Sequence, residues 1–98
     1  MTNHKPPRAP DGLGPEATRF WDDVVRDYTL ADFQLAILET ACHAKHMESE
    51  CLAILAAEGM TVSTGAGMVR ARPEATILRD ARAAFLRACK DLNLEIDQ

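Results

Sequence analysis

Aromatic residues are scarce in this 98-residue chain, which has one Trp, one Tyr and three Phe. With so few large flat side chains, a core has to be assembled mostly from Leu, Ile, Ala and Met. The abundance of alanine favours helix over sheet. Cysteine is limited to three residues, Cys42, Cys51 and Cys89. An odd count does not make a disulfide framework and fits a reducing cytosol. No apolar stretch approaches the about 20 residues needed to cross a bilayer. The N-terminus lacks a hydrophobic targeting core, so no membrane partner is expected. Basic residues are outnumbered, 11 Lys and Arg against 15 Asp and Glu, for a net charge of −4. That balance argues against a general nucleic-acid coat.

The charge is unevenly spread. Lys5 and Arg8 stand alone in the first ten residues, and the stretch 11–60 is acidic, with Arg19, Arg26 and Lys45 as its only cations. From residue 61 onward, Arg and Lys slightly outnumber acids, so a local basic surface is compatible with the acidic whole. The length suits one small domain with a limited core, and chains of this size often complete their core by oligomerising.

Residues 1–12 contain Pro6, Pro7, Pro10 and Gly12 and read as a mobile arm. Pro15 and Glu16 open a first helix, expected over Pro15 to Asp27, because proline loses nothing at a first turn and an acid suits the helix N-terminus. Ala17, Phe20, Trp21, Val24 and Val25 form its apolar stripe, with Asp22 and Arg26 placed to pair on the exposed side. Thr29 is a candidate N-cap, with Asp32 three residues later, for a long second helix over about Leu30 to Glu58. Leu30, Phe33, Ile37, Ala44, Met47, Cys51 and Ile54 follow a three-four spacing like a coiled-coil seam. A second stripe runs through Leu35, Leu38, Cys42, Leu52, Leu55 and Ala56. Two apolar stripes need partners on two sides. One can face the chain itself, and the seam residues Phe33, Ile37, Ala44, Met47, Cys51 and Ile54 are the candidate subunit interface.

Gly59 ends that helix. Over about residues 60–72 the period changes to two around Gly65-Ala66-Gly67, which predicts a β-hairpin. Pro73-Glu74 repeats the helix opener, and a third helix is expected from Pro73 to Leu92. The predicted fold is therefore mainly α, with two short-to-medium helices and one long one. A small β-hairpin precedes the last helix, and the whole is oligomer-forming. The core spans 13–94, with residues 95–98 as a tail.

Chemistry-bearing constellations are few. Cys42 and His46 share a helix face at a spacing that metal sites use, with His43 and Cys51 nearby. The sequence offers no second ligand pair, and a core cysteine with surface histidines is the favoured reading. Gly65-Ala66-Gly67 lacks the lysine and hydroxyl of a phosphate loop. Ser49 and Ser63 sit in no nucleophile motif. No metal, cofactor or enzymatic activity is expected. The candidate nucleic-acid contacts are Arg70, Arg72, Arg79 and Arg82, from the hairpin and the outer face of the third helix, with Lys5 and Arg8 of the arm. Two readings stand about level: contact with phosphates or an acidic partner surface, or a solvated face that pairs with the acidic second helix, within the chain or across subunits. No aromatics interleave with them, which argues against a stacking platform for single strands.

The chain resembles the small subunit of tailed-phage terminases. The resemblance rests on Leu13, Ala17 and Trp21, then Leu30, Asp32, Leu35 and Leu38. It continues through Glu58-Gly59 before the hairpin, Pro73 after it, and Leu78, Arg82, Leu86, Leu92 and Leu94 in the last segment. It covers residues 10–95. It implies a non-enzymatic viral DNA-packaging adaptor in the cytoplasm of the host bacterium. Such an adaptor forms a homo-oligomeric ring of about eight to ten copies. It engages double-stranded viral DNA and recruits or regulates the large ATPase and nuclease subunit. Many members carry a helix-turn-helix at the front, and here only a short basic arm stands there. Any DNA contact is thus expected to be phosphate-based and salt-dependent. Two other readings of the same residues are a small helical DNA-binding regulator, of repressor or antitoxin type, and a structural module that binds a partner helix along the open seam.

Overall fold

A computed structural model describes residues 5–94; the expected tail, 95–98, lies outside the described residues. The element order is α1 (Pro15–Asp27), α2 (Asp32–Glu58), β1 (Thr61–Ser63), β2 (Val69–Ala71) and α3 (Pro73–Asp91). The helical class, the long middle helix and the hairpin before the last helix are as the sequence predicts.

Local chemistry sets the boundaries. Gly14 caps α1 and Pro15 follows at its first position. The start of α2 differs from expectation. Its N-cap is Ala31, not Thr29, and Gln34 at the third helical position accepts a hydrogen bond from the Ala31 N–H at 2.8 Å. This is half a capping box, since alanine has no side-chain acceptor to return. At the other end Gly59 adopts φ 89° and ψ 170°. That region is essentially restricted to glycine, and it turns the chain from helix into β1. Asn93 (φ 57°) ends α3, with Leu94 N–H donating to Cys89 O at 3.2 Å and Asn93 N–H to Lys90 O at 2.9 Å. These bonds form a Schellman motif with asparagine in the left-handed position.

Helices α2 and α3 form an antiparallel pair, as Arg82 opposite Glu48 and Phe85 beneath Lys45 show. Ala81, Ala88 and Cys89 are the buried residues of α3, and their small side chains allow close approach. Helix α1 lies across the first half of α2. Leu13, Ala17, Trp21, Val24 and Val25 meet Leu38, Cys42 and Leu92 in the main core. Phe20 packs edge-on against Phe85, centroids 5.0 Å apart.

Residues 5–12, expected to be a mobile arm, lie against α1. Trp21 Nε1–H donates to Pro7 O at 2.9 Å, and Ala9 packs on the core. A buried indole needs an acceptor, and the arm supplies it. The Asp22–Arg26 pair does not form. Arg26 instead reaches Asp23 at 3.1 Å and Asp27 at 3.0 Å.

β1 and β2 pair antiparallel with Val62 opposite Arg70. The connection Gly65–Gly67 places Gly67 at φ 79° and closes with Gly67 N–H donating to Thr64 O at 3.1 Å, a three-residue loop whose last residue is left-handed. Arg70 and Arg72 share one face with Val62, and Val69 and Ala71 lie on the other, as alternation predicts.

The molecule is elongated, 68 × 25 × 23 Å, with a radius of gyration of 16.9 Å. A compact domain of this length would have about 13 Å. Its accessible surface is 7130 Å², against about 5,500 Å² for a compact monomer of this mass.

Leu38 is fully buried and Leu86 is 61% exposed. Leu38→Ala is expected to cost about 2–5 kcal/mol in urea unfolding, and Leu86→Ala to change little. Equal effects would contradict this assignment of the core.

Candidate interaction surfaces

The three-four seam of α2 splits in two. Phe33, Thr40, Met47 and Ile54 are spaced by seven and all exposed, at 70% for Phe33, 45% for Met47 and 36% for Ile54. Ile37 and Ala44, one turn on, are half-buried, and Cys51 is 2% exposed. Cys51, expected in the subunit seam, is thus buried within one copy and stands outside the row that this copy exposes. It lies on the side of α2 that α3 covers and is closed within the chain. The remaining residues leave an open row about 32 Å long, from 21 residues at 1.5 Å each. The second stripe also divides. Leu38 and Cys42 are buried beneath α1, while Leu52 and Ala56 are exposed because α1, 13 residues long, does not extend over them.

The arginines expected to form one basic cluster have different fates. Arg72 is committed to the backbone. Its guanidinium donates to Gly59 O at 3.0 Å, Glu58 O at 3.1 Å and Thr61 O at 3.3 Å. This clamps the hairpin to the end of α2 and satisfies carbonyls that the helix leaves open. Arg82 donates to Glu48 at 2.7 Å. Such a half-exposed pair contributes at most about 1 kcal/mol, but it offsets the charge locally. Arg79 lies 3.5 Å from Asp80, with its side chain 77% exposed. Arg70 is exposed on the hairpin. Lys5 and Arg8 are exposed beside α1, at the half of the molecule away from the hairpin. One copy thus has two separated basic regions.

A signal legible in the sequence was left out of the candidate set. On α3, Arg79, Arg82, Leu86 and Lys90 fall on one exposed face, at spacings of three and four that place them in line. Lys90 belongs to that face as much as the arginines do.

The Cys/His group does not come together as a metal site. Cys42 is in the core, His43 pairs with Glu39 at 3.5 Å, and His46 Nδ1 accepts a hydrogen bond from Gly14 N–H at 3.2 Å. Among the described residues, no cluster of three or more His, Cys, Asp or Glu could hold a metal ion. Burial pushes the Cys42 thiol up from 9.0 to about 12, helped by neighbouring Cys89, and burial also raises Cys51 and Cys89. Raised thiols are poor nucleophiles and poor ligands. No helix among the described residues is long and apolar enough to cross a membrane.

Residues 17–98 match the family model described as phage terminase, small subunit. No curated protein and no solved structure matches the chain. The matched region begins inside α1 and takes in α2, the hairpin and α3, so it includes the open row of α2 and the basic residues of the hairpin and α3, but not Lys5 and Arg8.

An unfolded cysteine titrates near 9 and folded Cys42 near 12. The stability this thiol contributes is complete below about pH 9 and is lost as pH rises toward 12. Melting scans from pH 8 to 11 on the protein and on Cys42→Ala check this. The protein should lose stability more steeply than the variant, and parallel curves would contradict it. Arg72→Ala is expected to speed amide exchange in residues 60–71 while α1 stays protected. Unchanged exchange there would show that the guanidinium is not the clamp.

Proposed function

This chain belongs to the phage terminase small-subunit family, and on that premise we propose that it is the ring-forming adaptor of a DNA-packaging machine. The family gives the chain a role in phage DNA packaging. The finer reading follows from the surfaces. Copies associate through the open row Phe33, Thr40, Met47 and Ile54, with Ile37 and Ala44 at its edge. That row is the observation that carries the proposal. Four positions seven residues apart and all exposed on one long helix form a seam for a second helix or subunit. The elongated shape supports the same reading, because its excess surface is on the order of 1,600 Å² (7130 minus about 5,500), the scale of a protein–protein interface. Rotational closure of a head-to-tail contact gives a ring, here of about eight to ten copies.

The adaptor engages duplex viral DNA weakly through phosphates. Arg79 and Lys90 are the cations best placed to do so, with Lys5 and Arg8 as a second set. Arg72 and Arg82 act first within the chain. Repetition around a ring multiplies a few contacts per copy. The adaptor performs no chemistry itself. In the host cytoplasm it passes DNA to the large subunit and regulates that subunit's activities.

Met47→Glu places a charge in the open row. It is expected to reduce the particle to one or a few copies in sedimentation, with helix content unchanged by circular dichroism. Assembly of full mass would count against the row as the interface. Arg79→Ala and Lys90→Ala are each expected to weaken duplex binding alike for any sequence and to lower the salt slope by about 1 per lost phosphate. Loss confined to one DNA sequence would favour a sequence-reading regulator instead.

A further inference from the structure

The hairpin is the least explained part of the molecule. A two-stranded sheet is marginal by itself in water, and this one extends past the end of α2 with little packed on it. Its register puts Met60, Val62, Met68 and Arg70 on one face. Met60 and Met68 are each 60% exposed, and Arg70 is exposed beside them. Residues 59–72 hold two arginines and no acid, whereas α2 holds five carboxylates and one lysine. On α2, Glu50 follows Met47 by three residues and precedes Ile54 by four, so it stands on the same exposed face. Two apolar patches therefore exist on each copy, one basic at its edge and one acidic. The hairpin begins beyond Glu58, and Met47 of the same chain stays 45% exposed, so the hairpin methionines leave it uncovered.

We propose that the hairpin of one copy docks on the α2 face of a second copy. Met60 and Met68 cover Met47 and Ile54, and Arg70 pairs with Glu50. The inference rests on the ring reading above and names what each subunit offers its neighbour. Methionine suits this role because its unbranched side chain adapts to an uneven apolar surface. The contact joins two different patches, so it is head-to-tail. Each copy keeps one patch of each kind free for the next, which propagates to a ring rather than stopping at a dimer. The pairing also gives the hairpin the packing partner that it lacks in one copy.

The test uses the full chain in light scattering and in cysteine cross-linking of mixed copies. Arg70→Glu and Glu50→Arg should each weaken assembly about tenfold or more, and the two combined in one chain should restore most of it. Circular dichroism on each variant verifies that the helices are intact. Met47→Cys copies mixed with Met68→Cys copies should give a cross-linked pair under mild oxidation. Cross-linking of Met68→Cys copies with themselves alone would mean hairpin-to-hairpin pairing and overturn the proposal. So would full assembly of both charge reversals, which would leave the ring reading standing. A monomeric parent chain would overturn both.

Discussion

Helix α2 is about 40 Å long at 1.5 Å per residue, and the chain has only α1 and α3 to lay against it. Helix α3 takes the side bearing Ala41, Cys51 and Leu55, while α1 and Leu13 take Leu38 and Cys42. Those two contacts use up the packing that 98 residues can provide. What is left is a strip of α2 carrying Phe33, Met47 and Ile54 in water. The uncovered strip, the elongated shape and the small core all follow from this mismatch in length. A chain built this way leaves much of its apolar surface uncovered.

The hairpin answers a second constraint. α2 and α3 have to be joined at their ends, and the connection must leave a helix without exposing its last carbonyls. Gly59 supplies the backbone conformation, and Arg72 gathers three carbonyl oxygens. Arg72 is also the N-cap residue of α3 through its backbone, so one residue ties both helices and the hairpin together. The consequence for function is direct. A guanidinium bound to three carbonyls is a joint, and the basic surface has to be built from the residues around it.

The sequence made much of this legible, and particular residues show where it stopped. Pro15, Gly59 and Pro73 marked three helix ends correctly because each acts through its own backbone geometry. The seven-residue row on α2 was visible as periodicity. Which half of the seam α3 would cover was not, because that depends on the direction from which α3 returns after the hairpin. Spacing alone therefore puts Cys51 on the open side. The arginines show the same limit. Composition reports charge, but whether Arg72 and Arg82 are free depends on carbonyls and a carboxylate that lie 11 to 34 residues away. Prolines and a glycine make residues 5–12 read as free, yet one indole N–H meets Pro7 and Ala9 packs on the core. Thr29 looked like a cap, and Gln34 did that work from inside the helix.

The central claim is that the uncovered side of α2 is occupied by further copies of the chain in a closed assembly. Native mass spectrometry of the unmodified protein tests it most directly. The account predicts a single high-order species whose mass is a whole multiple of 10.8 kDa, holding together at micromolar concentration. A spectrum dominated by the 10.8 kDa monomer under those conditions would contradict it.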